Sequence, residues 1–195
     1  MQPRRPEYAQ GSYYHIYNRG AHRVSIFRRA DDYTSLLNWV KDYTAKLQLA
    51  MVAYCLMPNH YHFLVRQDGP NQAGLLPQKV FNHYSKAFNN RYDHAGTLFE
   101  GPYKADRIET DTHLLHLCRY IHANPVKDGM ALAPELWLYS NYLEWIGQRK
   151  GTLVDRLFIT EHFPDPQRYI EFVQEYLAMR KSNDEVERYL QSLER

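Results

Sequence analysis

Two histidines separated by one residue are the first feature of this sequence that could support chemistry. His60 and His62 flank Tyr61 in the run HYHFLVR, whose aromatic and apolar content is typical of a strand. Residues two apart on a strand point to the same face, so both imidazoles project together. They would supply half of a metal site and need a third ligand from elsewhere. The alternative is a pair of polar side chains on a solvated sheet face.

A second set of polar residues recurs at helical spacing. A helix is predicted over residues 111–122, with the Asn124-Pro125 pair expected to stop it. Four residues share one stripe of this helix and all need hydrogen-bond partners, so the stripe should face water or a site. They are His113, His116, Tyr120 and Asn124. Considered alone, this stripe is more typical of a solvated helix face.

Together the two sets predict phosphodiester chemistry. A helix crossing the open face of the sheet would bring the Tyr120 phenol to the two imidazoles. A metal held by His60, His62 and the Asn124 oxygen would keep positions open for phosphate oxygens. A phenol is a poor nucleophile while protonated, with a pKa of about 10, but a cation on the phosphate favours in-line attack. We therefore predict transesterification in which Tyr120 attacks phosphorus and a sugar hydroxyl leaves.

The predicted elements can position these residues. Their order is β-α-β-β-α-β, followed by the helix that carries Tyr120. This order predicts an α+β fold with a ferredoxin-like antiparallel sheet, helices on one face, and extra C-terminal helices. The predicted strands and first two helices cover residues 12–18, 31–47, 49–56, 60–66, 70–92 and 101–109.

Three regions are predicted along the chain. Residues 1–11 form a basic N-terminal arm, and residues 12–130 form the central domain that carries the site. Residues 131–195 form a helical C-terminal extension, with charge-rich amphipathic helices over 167–181 and 184–195.

Length and composition limit the class of protein. With 195 residues, 44% hydrophobic and 24% charged, the chain fits one globular domain with a short appendage. No apolar run approaches the roughly 20 residues of a membrane span, and no hydrophobic segment follows the N-terminal arginines. Cys55 and Cys118 are too few for a disulfide framework, which favours a reduced, cytoplasmic setting.

The charge distribution suggests a polyanionic partner. Residues 1–107 carry 14 Lys and Arg against 8 Asp and Glu, whereas residues 108–195 carry 10 against 14. Chance scatter is the alternative reading. The basic residues predicted to follow a nucleic-acid path are Arg4, Arg5, Arg19, Arg23, Arg28, Arg29, Lys79, Lys86, Lys104, Arg107 and Lys127.

Three segments resemble one family when they are taken in combination. MPNHYHFLV, LFEGPYKADRI and CRYIHANPVKDGM together resemble the single-tyrosine HUH transposases, in particular the REP-associated tyrosine transposases of bacteria. The resemblance covers about residues 12–130, and the chain beyond about residue 150 lies outside it.

The resemblance implies roles for individual residues. It implies His60, His62 and Asn124 as ligands of magnesium or manganese, and Tyr120 as the nucleophile that forms a 5′-phosphotyrosine and frees a 3′-hydroxyl. His116, one turn before Tyr120, is an alternative metal ligand or a proton acceptor. The implied partner is single-stranded DNA with hairpins such as REP palindromes, bound by a monomer or a homodimer in the bacterial cytoplasm.

Two other functions stay open at this point. A domesticated binding protein would hold hairpins without cutting them, and its binding would be indifferent to Tyr120→Phe and to chelator. A hydrolytic phosphodiesterase would use Tyr120 only to orient water and would release product without a covalent adduct.

Overall fold

A computed structural model describes residues 6–180 of the chain. Within these residues, no helix is long and apolar enough to cross a membrane. The strands are β1 (Tyr13–Arg19), β2 (Leu49–Met57), β3 (His60–Gln67) and β4 (Lys104–Ile108). The helices are α1 (Ala30–Leu47), α2 (Leu75–Tyr92), α3 (Asp111–Lys127), α4 (Tyr142–Trp145), α5 (Arg156–His162) and α6 (Pro166–Arg180), with short 3-10 turns at Ala21–Arg23 and Pro134–Leu136.

The four strands form one antiparallel sheet in the order β2-β3-β1-β4. β2 and β3 make a hairpin, joined at Pro58 and Asn59. β1 pairs with β3 on one side and with β4 on the other. Each β-α-β unit is therefore split by a third strand: β3 lies between β1 and β2, and β1 lies between β3 and β4. The predicted α+β class is confirmed.

One face of the sheet packs against α1 and α2. Alternate residues of the central strands enter this core, including Ile16 of β1 and Tyr61 and Phe63 of β3. Leu36 of α1 and Val80 of α2 face them and are fully buried. Because strand side chains alternate, burying these residues sends His60 and His62 to the opposite face.

The opposite face is covered by α3 and by the C-terminal helices. Leu117 and Ile121 of α3 share a second core with Leu64 of β3. Trp145 of α4 and Tyr169 of α6 are part of the same core, and both are almost fully buried. The C-terminal extension is therefore built into the core that supports α3, and removing it would expose that core.

Helix α3 is longer than the sequence predicts. The helix continues through Pro125 to Lys127 instead of stopping at the Asn124-Pro125 pair. Pro125 removes one backbone donor near the C-terminal end of the helix, where a single lost bond is tolerated within a buried segment. This extension places Lys127 two turns after Tyr120, on the same stripe. The start of the preceding helix also differs, since α2 begins at Leu75 and not at Pro70.

Some predicted features lie outside the described residues, namely Arg4, Arg5 and the helix expected over 184–195. The described part of the N-terminal arm packs against the sheet. Tyr8 lies 4.9 Å from Tyr14 between ring centroids, and the Gly11 amide donates to the Gln67 carbonyl.

Because His122 is buried, we expect the free energy of unfolding to fall on acidification. Its Nε2 donates to Asn141 Oδ1 at 2.8 Å, its Nδ1 accepts from the Tyr169 hydroxyl, and burial lowers its pKa to about 4. Below the unfolded pKa of about 6.5 the unfolded chain takes up a proton that the folded chain refuses, so stability is lost as the pH falls from 6.5 towards 4. Between pH 7 and pH 5, we expect the free energy of unfolding of the wild type to fall by about 2 kcal/mol more than that of His122→Gln, as measured by urea unfolding.

The control is His83→Gln on the exposed side of α2, which should keep the wild-type dependence. An equal pH dependence in His122→Gln and wild type would contradict the prediction.

Candidate active site

The strand β3 brings the two histidines to one face, as predicted. The His60 and His62 rings lie 5.2 Å apart between centroids and are nearly perpendicular. His62 is 2% exposed, and His60 reaches the surface of a cleft. Their position follows from the alternation of β3, because Tyr61 and Phe63 are fixed in the core under α1 and α2. The solvated sheet face considered above does not apply, because this face is covered by α3.

Helix α3 places Tyr120 and Asn124 against the same strand. Its N-terminus is capped by the Thr110 hydroxyl, and the helix lies over the second sheet face. The Tyr120 and His62 rings are 5.7 Å apart between centroids and meet edge to face. Asn124, one turn later, is fully buried, and its Nδ2 donates to the Tyr120 carbonyl at 3.3 Å. The phenol, the amide and the two imidazoles therefore do converge.

Two buried polar atoms of this site have no hydrogen-bond partner within the part of the chain that the structure describes. They are His62 Nε2 and Asn124 Oδ1. Asn124 lies close enough to His60 to raise the pKa of that ring slightly, although no hydrogen bond of ordinary geometry forms at its Oδ1. Burying a polar atom without a partner costs about 1–3 kcal/mol, and this pair of atoms is placed where a bound ligand could satisfy both.

The donor set fits a divalent cation only if the amide takes part. Among residues 6–180, no three His, Cys, Asp or Glu side chains are grouped so that they could hold a metal ion. Two imidazole nitrogens and one amide oxygen make an open three-point set, with positions left for water or phosphate oxygens. His60, His62 and Asn124 thus fit such an ion as a partial site.

The histidines of the site are neutral near pH 7. Burial lowers the pKa of His62 well below its usual value, and the neighbouring rings and Lys127 act in the same direction. Burial also lowers the pKa of His60 to about 4, against the opposing effect of Asp128. Neutral imidazoles keep the lone pairs that a metal ion requires.

Two residues that the sequence analysis missed hold these rings from behind. Asn59 Oδ1 accepts from His60 Nδ1 at 2.7 Å. On β1, His15 Nε2 lies 3.0 Å from His62 Nδ1. The alternation of His15 with Tyr13 and Tyr17 in a strand-like run was a visible signal. Only the pairing of β1 with β3 shows which strand it meets.

The Tyr120 hydroxyl is in contact with Lys127. Lys127 Nζ donates to Tyr120 Oη at 3.2 Å and lies 4.6 Å from the ring centroid. Tyr120 is 1% exposed and does not line the cleft beside it. In this arrangement the hydroxyl is therefore not open to the cleft.

A cleft of about 280 Å³ opens next to the histidine pair. The Lys and Arg residues that line it all belong to the basic set predicted from the sequence; they are Arg19, Arg23, Lys104 and Lys127. Arg19 is engaged by Glu100 through two hydrogen bonds of 3.0 and 2.9 Å. The residues lining the cleft are Tyr17, Asn18, Arg19, Arg23, Asn59, His60, His62, Glu100, Lys104, Lys127 and Asp128.

Other predicted site residues lie elsewhere. His116 accepts from Arg119 at 2.7 Å, and its ring packs on Phe172 of α6, so these contacts face the C-terminal helices. Lys79 and Lys86 are exposed on α2, which covers the sheet face opposite the histidines. Arg107 of β4 is the direct strand partner of Tyr14 of β1, whose side chain belongs to the core under α1 and α2. Arg107 is therefore also on the sheet face opposite the histidines.

Comparison with known proteins identifies the family. The family model described as "Transposase IS200 like" matches residues 8–124, which include β1 to β4 and most of α3. The chain belongs to the IS200-like transposase family. A search of curated proteins found no match.

One solved structure supports the fold of this IS200-like chain, and a second is a weaker match. One is a REP-associated tyrosine transposase bound to a REP hairpin, 16% identical, with a TM-score of 0.61 over 80% of this chain and 94% of that one. At this identity the likeness shows the fold alone. A protein from Deinococcus radiodurans R1, also 16% identical, covers 62% of this chain and 95% of its own length, with a TM-score of 0.42.

The Arg19–Glu100 ion pair leads to a testable prediction about the pKa of Glu100, a carboxyl group of the cleft. The hydrogen bond from Arg19 is the main reason that the pKa of Glu100 lies below its usual value. We expect Arg19→Gln to raise the Glu100 pKa towards 4.5, as followed by NMR titration of the carboxyl carbon. Arg107→Gln, beside Glu109, should leave the Glu100 pKa unchanged. An unshifted Glu100 in Arg19→Gln would show that the pair does not form in solution.

Proposed function

We propose that this transposase cleaves and rejoins single-stranded DNA through a covalent bond between phosphorus and Tyr120. The observation that carries the proposal is the pair of unpartnered buried atoms, His62 Nε2 and Asn124 Oδ1, beside the Tyr120 ring. A buried phenol alone would be ordinary packing. A buried phenol next to two unpartnered nitrogen and oxygen atoms is what a nucleophile beside a cation site would require.

His60, His62 and Asn124 would hold a divalent cation such as magnesium or manganese. When bound, that ion withdraws charge from the phosphate and makes phosphorus more electrophilic. The protein contributes two neutral imidazoles on a rigid strand and an amide on a buried helix. These ligands are fixed before the substrate arrives, so little reorganisation accompanies the reaction.

The chemical step exchanges one phosphate ester for another. The Tyr120 Oη–P bond forms as the P–O3′ bond breaks, the phenol loses its proton, and the departing 3′ oxygen gains one. The product is a 5′-phosphotyrosine and a free 3′-hydroxyl. Attack of a 3′-hydroxyl on the same phosphorus reverses the step, so the energy of the first bond is retained for rejoining.

Lys127 is placed to act on the oxygen of the nucleophile. Its ammonium group donates to Tyr120 Oη, where it would stabilise negative charge on the phenolate during attack and departure. The same group lines the cleft, so it can transfer from the phenol to a phosphate oxygen as the DNA enters.

The proposed substrate is single-stranded DNA adjacent to a hairpin, as in REP palindromes. Support comes from the family and from the structurally similar transposase that was solved with a REP hairpin. The cleft cations Arg23, Lys104 and Lys127 suit a phosphate backbone that passes the histidine pair.

A second function is favoured by one observation. Tyr120 is almost fully buried and does not line the cleft, as would suit a protein that binds hairpins without cutting them. The experiment below separates the two functions.

Covalent trapping tests the proposed chemistry. Labelled single-stranded DNA that carries the palindromes flanking the gene is incubated with the full chain and manganese, then denatured and resolved by electrophoresis. We expect a labelled protein band that Tyr120→Phe and chelator each abolish, because both the nucleophile and the cation are needed.

The matched control is Tyr43→Phe on α1, outside the cleft, which should keep the adduct. Cleavage without an adduct would favour hydrolysis, with Tyr120 orienting water. Tight binding without cleavage or adduct would favour the binding protein.

A second test locates the DNA path. Measured in the Tyr120→Phe background, Arg23→Ala combined with Lys104→Ala should weaken binding and reduce the slope of log affinity against log salt by roughly 0.7 per lost phosphate contact. The matched pair, Lys79→Ala with Lys86→Ala, lies on α2 behind the sheet and should change the slope little. If the α2 pair reduced the slope as much as the cleft pair, the strand would have to pass over α2.

A further inference from the structure

A buried pair of imidazoles lies directly behind the proposed cation site. His15 Nε2 and His62 Nδ1 are 3.0 Å apart, and the two rings are nearly parallel, with centroids 5.2 Å apart. His15 is 1% exposed and also stacks on Tyr17, at 4.6 Å between centroids. Strand pairing fixes this geometry, because Tyr17 of β1 is the direct partner of His62 of β3.

The hydrogen bond between these rings has two possible directions, and they have opposite consequences. If His62 Nδ1 donates to His15 Nε2, His62 Nε2 carries a lone pair. If His15 Nε2 donates instead, the single proton of neutral His62 must reside on Nε2, which then has no lone pair for a metal ion.

The other histidine of the site has no such ambiguity. Asn59 Oδ1 is a carbonyl oxygen and only accepts, so His60 Nδ1 must donate and His60 Nε2 carries the lone pair. His62 depends in the same way on an acceptor behind it, and its buried Nε2 has no hydrogen-bond partner on the site side.

We infer that His15 is a positioning residue for the cation site: it accepts a hydrogen bond from His62 Nδ1 and thereby directs the His62 Nε2 lone pair at the ion. This inference rests on the proposed function, since it assumes that His62 is a ligand. Partners of this kind typically change metal affinity by 10–100-fold when they are lost.

The test compares two substitutions that rank in opposite order under the two roles of His15. His15→Gln keeps an oxygen that can accept near the position of Nε2, whereas His15→Phe keeps the aromatic packing and has no acceptor. Manganese affinity is measured on the full chain without DNA, from the free-ion signal in electron paramagnetic resonance. We expect His15→Phe to bind about 10–100-fold more weakly than wild type, and His15→Gln to stay within a few-fold.

A purely structural role predicts the reverse, because phenylalanine replaces the stacked ring better than glutamine does. Thermal unfolding of both variants monitors folding, and the exposed His83→Gln is the matched control, with affinity unchanged. Wild-type affinity in His15→Phe, or equal losses in both His15 variants, would overturn the inference.

A second measurement does not depend on a variant that folds. In wild-type protein without metal or DNA, long-range proton–nitrogen NMR should place the proton of neutral His62 on Nδ1, and a proton on Nε2 would overturn the inference. His62→Ala separates the two proposals. If His62→Ala abolishes manganese binding and His15→Phe does not, only the role of His15 fails. If wild type shows no manganese binding that depends on His62, the cation site itself fails, and the inference fails with it.

Discussion

The site depends on one strand that is buried on both faces. The odd-numbered residues Tyr61 and Phe63 are locked into the core beneath α1 and α2, and the even-numbered His62 and Leu64 face α3. A shift of one residue in the register would move every side chain of β3 to the wrong face, at the cost of both cores. Hydrophobic burial on the far side of the sheet therefore keeps the two imidazoles in place.

Helix α3 contacts this strand through residues that recur at the helical spacing. Tyr120, Asn124 and Lys127 recur at helical spacing and reach the histidine pair because the helix is held between the sheet and α6. The C-terminal helices contribute through packing, since Tyr169 is part of the second core and is hydrogen-bonded to the buried His122. The segment outside the family match thus supports the helix that carries the proposed nucleophile.

The arrangement has a cost in stability, which is typical of functional sites. Several neutral imidazoles are buried together, and two buried polar atoms near Tyr120 have no hydrogen-bond partner among the described residues. A chain selected for stability alone would fill this space with apolar side chains. The rings are instead held from behind by Asn59 and His15, which use one nitrogen of each imidazole and leave the other directed at the site.

The sequence by itself determined the α+β order, the common face of His60 and His62, and the stripe that carries Tyr120 and Asn124. These features follow from the periods of two residues in a strand and 3.6 residues in a helix, which can be recognised from residues that are close in the sequence. Tertiary structure decided the rest. The end of α3 beyond Pro125 depends on a buried helix tolerating one lost bond, and the assignment of Lys79 and Lys86 to α2 behind the sheet depends on which face each helix covers. His15 and His62 are 47 residues apart in the chain, and only the pairing of β1 with β3 makes them neighbours.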